Sequence, residues 1–291
     1  MSAKIPLTIL AVGADGHFAG LVVPELAKRG ANVRGLIQDA KQADTVRKNG
    51  ASEIAVGDLT DPASIQAALK GVDAVFYVPP AFIANEAEVG KSMVEAAKQA
   101  GVRRFVFSSV IDPVISALVN HSAKAPVEEA IIESGMEFAL LQPAMFFQNF
   151  KQGFIQSWSQ VVKSSTYGEP WSEEICFSRV DYRDVAEVAA IALMEDRLLY
   201  GTYQLCAEGH LNRKDVAALM SAVLGKEIKS VRPSSPASPP QAGKQASPIQ
   251  LMFAWYDQHG LLGNALTLQA ILGREPRALR AYFEELAALP E

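Results

Sequence analysis

The sequence predicts an α/β fold in which a doubly wound parallel sheet is followed by a smaller mixed α/β domain. Short apolar runs alternate with segments of helical periodicity through the first half of the 291-residue chain. The apolar runs are continuous instead of alternating with polar residues, which is typical of strands buried on both faces. A glycine-rich turn directly follows the first run. Strands and helices in alternation imply right-handed crossovers between parallel strands.

Six apolar runs in the first half predict strands, in chain order over residues 7–12, 32–37, 52–57, 72–78, 103–109 and 136–143. The clearest helix between them spans residues 85–100, where Val89 and Met93 lie on one side. Each helical segment closes at a glycine, the residue that most readily ends a helix. These are Gly30, Gly50, Gly71, Gly101 and Gly135.

The rhythm of strands and helices changes in the second half. Residues 177–194 predict a short strand and a helix, and residues 201–206 predict another strand. Residues 212–225 predict a helix with Asn212 as its cap. A stretch rich in Pro and Ser, residues 232–248, predicts a loop, and a mostly helical tail follows it.

These patterns predict two domains. The first comprises residues 1–150 and also receives a strand and a helix from about residues 177–205. The second is smaller, comprises residues 151–291 and contains the Pro- and Ser-rich loop.

Composition limits the classes of function. Hydrophobic residues make up 49% of the chain and charged residues 20%, which suits a globular core. The net charge of -5 argues against a nucleic-acid partner, because a phosphate-binding face needs clustered Lys and Arg. The two cysteines, Cys176 and Cys206, are too few and too far apart for a disulfide framework or a zinc ribbon. We expect free thiols, no metal site and a cytoplasmic protein without a membrane partner, since no apolar run reaches the roughly 20 residues of a membrane span.

The glycine-rich turn "VGADGHFAG", residues 12–20, lies between the first strand and a predicted helix. Such a turn lets the backbone approach a pyrophosphate, and the start of the helix offers unpaired N–H groups. Gly13 and Gly16 are placed for this role. The third small position of the usual pattern falls on Ala19, with Gly20 as an incidental neighbour. The alternative is an ordinary turn.

Several stretches together resemble the NmrA-like branch of the atypical short-chain dehydrogenase/reductase superfamily. They are "GADGHFAG", "VRGLIQDA", "GDLTDPASIQAALKGVDAVFYVPP", "GVRRFVFSSV", "NHSAKAPVEEAIIESGMEFALLQPAMFFQN" and "LGREPRALRAYF", in that order. The resemblance implies a Rossmann domain that binds NAD(P). Some members of the family are reductases, and others are redox-sensing regulators that bind the nucleotide without known turnover.

The resemblance also assigns residues to parts of the cofactor. The pyrophosphate would lie against the turn, at Gly13, Ala14, Asp15, Gly16, His17 and Phe18. The adenine would face Asp58 and Leu59, after the third strand, and the nicotinamide ribose would be flanked by Val78, Pro79 and Pro80, after the fourth. A helix cap is the alternative role for Asp58, although Asp61 is better placed to cap the next helix.

The end of the second strand selects between the two cofactors. An acidic group there accepts a hydrogen bond from the ribose 2′-hydroxyl of NAD, and an arginine there pairs with the 2′-phosphate of NADP. The family often has arginine where this chain has the neutral Gln38. We expect NADP, with Lys41 and Arg34 as substitutes for the missing arginine, and NAD as the alternative. Both cations are equally well explained as solvated surface charges.

The superfamily's usual catalytic pair is a tyrosine four residues before a lysine. Lys124 is present, but Asn120 stands at the tyrosine position, so the usual proton donor is missing. His121 and Ser109 are the remaining catalytic candidates, as proton donor and as hydrogen-bond partner of a carbonyl. The alternatives are a surface pair of Lys124 with Glu128 and a packing or capping role for His121.

The segment after the sixth strand is the predicted substrate pocket. The resemblance places Met145, Phe146 and Phe147 over the nicotinamide, where they suit an apolar or planar substrate. An inter-domain core is the alternative role for these side chains. Two functions follow: an NAD(P)H-dependent reductase of a small carbonyl, enone or quinone-like compound, or a nucleotide sensor that acts through a regulatory protein partner. The oligomeric state, monomer or homodimer, stays open.

Overall fold

The computed structural model describes residues 6–80, 82–83, 85–153, 155–233 and 246–289. The chain divides into two compact units. The first unit comprises Met1–Val114, Ala123–Gln142 and Val185–Tyr203, and the second unit comprises Ile115–Ser122, Pro143–Asp184 and Gln204–Glu291.

The strands and helices follow in chain order. The strands are β1 Thr8–Val12, β2 Asn32–Ile37, β3 Glu53–Val56, β4 Ala74–Tyr77, β5 Arg104–Ser108, β6 Glu137–Pro143, β7 Met145–Phe146, β8 Thr166–Gly168, β9 Arg179–Val180, β10 Gly201–Leu205 and β11 Lys229–Val231. The helices are α1 Ala19–Lys28, α2 Ala43–Lys48, α3 Pro62–Leu69, α4 Glu86–Gln99, α5 Val119–Ser122, α6 Ala125–Glu133, α7 Gln148–Gln152, α8 Trp158–Ser164, α9 Tyr182–Met194, α10 Arg213–Leu224, α11 Pro248–His259, α12 Leu266–Leu272 and α13 Leu279–Ala287. A single 3₁₀ turn, Ala40–Gln42, precedes α2.

In the described part of the chain, seven strands form one large sheet in the order β10-β6-β5-β4-β1-β2-β3. The pairs from β3 across to β6 are parallel. The chain runs outward from β1 to β3, returns to β4 beside β1, and then runs outward on the other side. The loops after β1 and β4 therefore leave in opposite directions and open a crevice at the carboxyl edge of the sheet. This confirms the predicted doubly wound parallel sheet.

All seven strands of this sheet lie inside the runs predicted from the sequence. The continuous apolar pattern has the expected cause, because every residue of β4 and β5 is buried. On one face of the sheet, Leu10 and Phe105 pack with Leu69, Met93 and Ile131 from the covering helices.

Two predicted helix caps are confirmed. Asp61 caps α3 by accepting a hydrogen bond from the Ala63 amide at 3.1 Å. Asn212 caps α10, where its side chain accepts from the Asp215 amide and the Asp215 carboxylate returns a bond to the Asn212 amide. Both caps satisfy amides that a helix start leaves without internal partners.

The second unit contains two small parallel sheets, β7 with β9 and β8 with β11. The short strand predicted within residues 177–194 is β9, so it pairs with β7, whereas β10 joins the large sheet. An aromatic cluster fills the interior of this unit, with Phe147, Tyr167 and Phe283 among its members. Of the predicted loop at 232–248, residues 234–245 lie outside the described part, and α11 begins at its end.

Three further observations concern the described residues alone. None of their helices is both long and apolar enough to cross a membrane. They contain no group of three or more His, Cys, Asp or Glu side chains arranged to hold a metal ion. Cys176 and Cys206 are not joined in a disulfide.

Candidate functional site

The glycine turn between β1 and α1 has a geometry that requires glycine. Gly13 has a φ of +70°, a backbone conformation that side chains with a Cβ rarely adopt. The Gly16 amide donates to the Gly13 carbonyl at 2.8 Å, and a Cβ at Gly16 would lie 3.0 Å from that oxygen. Asp15, Gly16 and His17 are exposed at the tip of the turn. The turn therefore presents bare backbone just before the first turn of a ten-residue helix.

Gly20 is more than an incidental neighbour of this turn, which corrects the expectation above. A Cβ at Gly20 would lie 3.3 Å from the Ala14 carbonyl oxygen, so the first turn of α1 is held close over the strand end. Ala19 is buried, where only a small side chain is expected. Ala14 is fully buried, and its backbone amide donates to the Leu36 carbonyl at 3.0 Å. Phe18 is half-buried at the start of the helix.

The end of β2 carries one of the two cations proposed for a 2′-phosphate. Lys41 is exposed in the 3₁₀ turn, where its amide donates to Asp39 at 3.0 Å. Arg34 does not serve, because its guanidinium pairs with Glu53 at 2.6 Å and donates to two backbone carbonyls, of Ala68 and Lys70. The expectation for Arg34 is therefore wrong, since its side chain is committed to the neighbouring strand β3.

Asp58 and Gln38, from the ends of β3 and β2, meet at this edge of the sheet. The Gln38 amide group donates to the Asp58 carboxylate at 3.1 Å. Hydrogen bonds from the Thr60 hydroxyl, from the Thr60 amide and from Gln38 lower the pKa of Asp58. Asp58 is not a helix cap, because Asp61 takes that role. Leu59 packs partly into the core beneath.

The exit of β4 combines a half-buried Val78, a buried Pro79 and an exposed Pro80. Just before them, the fully buried Tyr77 stacks on Phe107 with ring centroids 5.7 Å apart. Within the described residues the Tyr77 hydroxyl has no hydrogen-bond partner. Burial, and then the charge of a nearby glutamate, raise the pKa of Tyr77.

That glutamate is Glu86, the first residue of α4, and it forms a buried ion pair with Lys124. The Lys124 Nζ lies 2.6 Å from the Glu86 Oε1, with the two residues 7% and 5% exposed. Glu128 instead accepts a hydrogen bond from Gln142 at 3.0 Å. The alternative of a surface pair between Lys124 and Glu128 is therefore wrong.

Ser109 follows β5 directly. Its amide donates to the Leu141 carbonyl at 2.8 Å, which fixes the backbone between two strands. Its hydroxyl is buried and lacks a hydrogen-bond partner among the residues described. A buried hydroxyl without a partner is costly, so this atom is a candidate ligand contact.

In the second unit, His121 and Asn120 both contact the hydroxyl of Tyr256. The His121 Nε2 lies 3.1 Å from that oxygen, and the Asn120 side chain hydrogen-bonds to it. His121 is 1% exposed and its ring meets the Tyr256 ring edge-on. Burial raises the pKa of Tyr256, and the hydrogen bond to Asn120 partly offsets this.

A narrow pocket in the second unit includes two of the three residues predicted for the substrate. Met145 and Phe146 line it together with Asn149, Phe150, Ile155, Gln156, Tyr167 and Glu169. Phe147 does not line it: this side chain is buried in the core of the unit, where its ring lies 5.7 Å from Tyr282. Phe147 therefore packs within the core of the second unit.

Among the residues that line this pocket, Glu169 is a buried glutamate, only 1% exposed. It pairs with Arg179 at 2.8 Å and accepts from the Tyr167 hydroxyl at 2.6 Å and the Trp171 indole at 3.1 Å. The pKa of Tyr167 is raised, mainly by burial and then by the Glu169 charge. These contacts compensate the buried charge on Glu169.

Four polar residues near the predicted ones were missed by sequence reasoning. They are Tyr77, Glu86, Glu169 and Tyr256. Glu86 had one local signal, its place in the first turn of a helix, where an acidic residue is ordinarily a solvated partner of the helix dipole. Only its burial distinguishes it from such residues.

The sheet topology and the glycine turn at its switch point define a Rossmann-type α/β protein. The sequence pattern of the NmrA-like family matches residues 7–287, and the chain belongs to that family.

Three known proteins illustrate what this chain is similar to. An NAD(P)H azoreductase of Xenophilus azovorans is 31% identical over 226 residues, 77% of this chain and 76% of the relative. An NADPH-dependent quinone oxidoreductase of Escherichia coli, solved with NADPH, has a TM-score of 0.81 at 19% identity and covers 97% of this chain and 100% of its own. NmrA, a negative transcriptional regulator solved with NAD, has a TM-score of 0.77 at 16% identity and covers 97% of this chain and 96% of its own.

Proposed function

We propose that this protein binds NAD(P) at the carboxyl edge of the large sheet and is an NAD(P)H-dependent reductase of a small carbonyl, enone or quinone-like compound. The observation that carries the proposal is the turn at Gly13 and Gly16, where a Cβ would strain the backbone or crowd it at the switch point. The unpartnered hydroxyl of Ser109 adds a polar atom that a ligand would satisfy. The azoreductase relative supports reductase chemistry.

The turn residues and the first amides of α1 would hold the pyrophosphate, since a helix start attracts anions. Asp58 and Leu59 would face the adenine, and Val78, Pro79 and Pro80 would flank the nicotinamide ribose. Phe18 and His17 would close the turn around the phosphates. All of these residues follow the carboxyl ends of strands in the first unit.

NADP is the proposed cofactor, with NAD as the alternative. Lys41 is the exposed cation nearest in sequence to Gln38, and an ammonium there would attract the 2′-phosphate as a point charge. The quinone oxidoreductase neighbour was solved with NADPH, which supports this choice for the family fold. Lys41→Ala should raise the Kd for NADPH about threefold to tenfold and leave the Kd for NADH unchanged. Equal effects on both nucleotides would remove Lys41 from the site.

When bound, the reduced nicotinamide supplies the hydride. Lys124 would hold the ribose hydroxyls through its ammonium group. Ser109 would donate its hydroxyl hydrogen to the substrate oxygen, which lowers the cost of negative charge there. His121, three residues before Lys124 in the chain, would deliver the proton, because Asn120 has no acidic hydroxyl.

Met145 and Phe146 would contact an apolar, flat substrate. The pocket that they line also includes Asn149. A carboxamide can donate to a carbonyl oxygen of the substrate and so orient it.

The experiment follows absorbance of NADPH and NADH while the protein is mixed with quinones, azo dyes and enones. We expect oxidation of NADPH with at least one class, and loss of most activity in Lys124→Ala and in Ser109→Ala. Activity that is unchanged in both variants would contradict the residue assignments, and absence of nucleotide binding would contradict the whole proposal.

The second candidate is a nucleotide sensor that acts through a regulatory protein partner. Asn120 favours it, because a residue without an acidic hydroxyl stands at the tyrosine position of the superfamily. The likeness to NmrA, a transcriptional regulator solved with NAD, is consistent with it. Tight nucleotide binding without oxidation across the whole panel would favour the sensor over the reductase.

A further inference from the structure

The Lys124–Glu86 pair joins two helix starts of the first unit that are far apart in the chain. Glu86 is the first residue of α4, and Lys124 directly precedes α6. The two side chains meet at 2.6 Å with less than a tenth of either exposed. Nothing in the sequence pattern singles out Glu86, and the reductase proposal above gives it no role.

Helix packing determines where the carboxylate lies. Gly90, one turn into α4, faces Val127 of α6 so closely that a Cβ would come 2.5 Å from its Cγ2. The starts of the two helices are therefore held together by close packing of the Gly90 backbone against the Val127 side chain. An acidic side chain is favourable at the start of a helix, and Glu86 is the first residue of α4.

Two further titratable groups near the pair are Glu128 and Tyr77. Glu128, in α6, accepts a hydrogen bond from the Gln142 side chain at 3.0 Å. Tyr77, on β4, has a buried hydroxyl that feels the Glu86 charge. Glu86 is the carboxylate that pairs with Lys124, at 2.6 Å.

A buried ion pair is weak evidence for a stabilising role. Desolvation of the two charges costs about as much as their attraction returns, and apolar residues of the same size often do as well. A pair placed at the carboxyl edge of the sheet thus requires another explanation. Lysine has a long, flexible stem, so its ammonium is useful for binding only where something holds it in place.

We propose that Glu86 is a positioning residue for Lys124: it holds the ammonium in one place, so that Lys124 can donate to the ribose hydroxyls of the nicotinamide nucleotide. This inference rests on the proposed function. An ammonium has three donors, so a bond to Glu86 is compatible with further bonds to hydroxyl oxygens. Glu86 itself touches neither cofactor nor substrate in this role.

The test is a double-mutant cycle on nucleotide binding. Glu86→Gln, Lys124→Met and the double variant are titrated with NADPH by calorimetry, and steady-state kinetics give KM and kcat where turnover is present. We expect Glu86→Gln to raise the Kd and the KM for NADPH about tenfold, with kcat changed less than threefold. In the Lys124→Met background, Glu86→Gln should change the Kd less than about twofold, because the group it positions is gone.

Two further variants separate positioning from folding. Glu86→Asp keeps the charge and should restore the Kd to within about threefold of the wild type. Glu88→Gln removes an exposed carboxylate from the same helix turn, where it pairs with Lys91 at 2.7 Å, and should leave the Kd unchanged. If Glu86→Gln fails to fold by itself, the double variant takes its place, because it has no charge at either position of the pair. The Kd of the double variant is then compared with that of Lys124→Met, and the Kd of Glu86→Asp with that of the wild type.

The outcomes are distinguishable from failure of the proposed function. A wild-type protein that binds neither NADPH nor NADH would remove the reductase and the sensor together. A wild type that binds NADPH while Glu86→Gln binds equally well, or while the effects of the two substitutions simply add, would overturn the positioning role alone.

Discussion

The two units differ in how they satisfy the buried hydroxyl groups described above. In the first unit the Tyr77 and Ser109 hydroxyls are buried without hydrogen-bond partners among the described residues. In the second unit the buried hydroxyls of Tyr167 and Tyr256 contact Glu169 at 2.6 Å and His121 at 3.1 Å, and Arg179 pairs with Glu169. Unsatisfied polar atoms cost stability and suit a place where a ligand will bind, whereas satisfied ones stabilise a single packing arrangement. The difference favours a ligand contact for the two hydroxyls of the first unit and a packing role for the contacts around Glu169 in the second.

The largest effect is expected from Glu169→Gln. It leaves the Arg179 guanidinium, only 2% exposed, without its countercharge, so the free energy of unfolding should fall by about 3–5 kcal/mol in urea titrations. Glu284→Gln is the control, because Glu284 pairs with Arg280 at the surface and its loss should leave the urea midpoint almost unchanged. Equal, small losses in both variants would contradict a structural role for the Glu169 cluster.

The next effect concerns the glycine turn. Gly13→Ala forces alanine into a φ of +70° and should cost about 1–2 kcal/mol of stability while raising the Kd for NADPH about tenfold. Gly71→Ala is the control, because Gly71 has a φ of +72° and, like Gly13, nothing within 4 Å of an added Cβ. It should cost the same stability and leave the Kd unchanged. A Kd that shifts equally in both variants would show that the effect is general loss of folding.

A smaller effect is expected from Tyr256→Phe. The substitution removes the hydroxyl that His121 and Asn120 share and should cost about 1 kcal/mol, measured as a lower urea midpoint. If His121 delivers the proton, kcat should also fall while the Kd for NADPH stays constant. An unchanged kcat beside lower stability would assign the cluster to packing alone, in agreement with the division between the units.

The smallest effect is a loss of stability in alkali. Burial, and then the charge of Asp181, raise the pKa of Tyr282 to about 12, whereas an unfolded tyrosine titrates near 10. The folded state therefore favours the neutral phenol, and this stabilisation is complete below pH 10 and is lost as the pH rises toward 12. Unfolding midpoints measured from pH 9 to 12 should fall less steeply in Tyr282→Phe than in the wild type. Parallel curves would contradict the raised pKa.

Local signals in the sequence were sufficient for most of the first unit. Each of the seven strands of the large sheet lies in a run of apolar residues, and Asp61 and Asn212 cap the helices that follow them. Periodicity and caps depend on residues within one or two turns, so a single sequence reveals them. The glycine turn is equally local, since its function needs only backbone conformation.

The main corrections concern side-chain contacts that spacing in the sequence does not reveal. Arg34 pairs with Glu53 on the adjacent strand, and Lys124 pairs with Glu86 instead of Glu128, its neighbour one helical turn away. Phe147 faces the core of the second unit while Phe146, one residue before, lines the pocket. Adjacent residues can point in different directions, and side-chain direction there depends on packing rather than on sequence spacing.

The sequence by itself determined the order of strands and helices, the parallel sheet and the turn that presents bare backbone at its edge, because hydrophobic periodicity and glycine conformation are local properties. Only the tertiary structure decided that Glu86 meets Lys124 and that the Tyr256 hydroxyl lies against His121. Such pairs form across 38 and 135 residues, where burial and helix packing, which no local pattern encodes, select the partner.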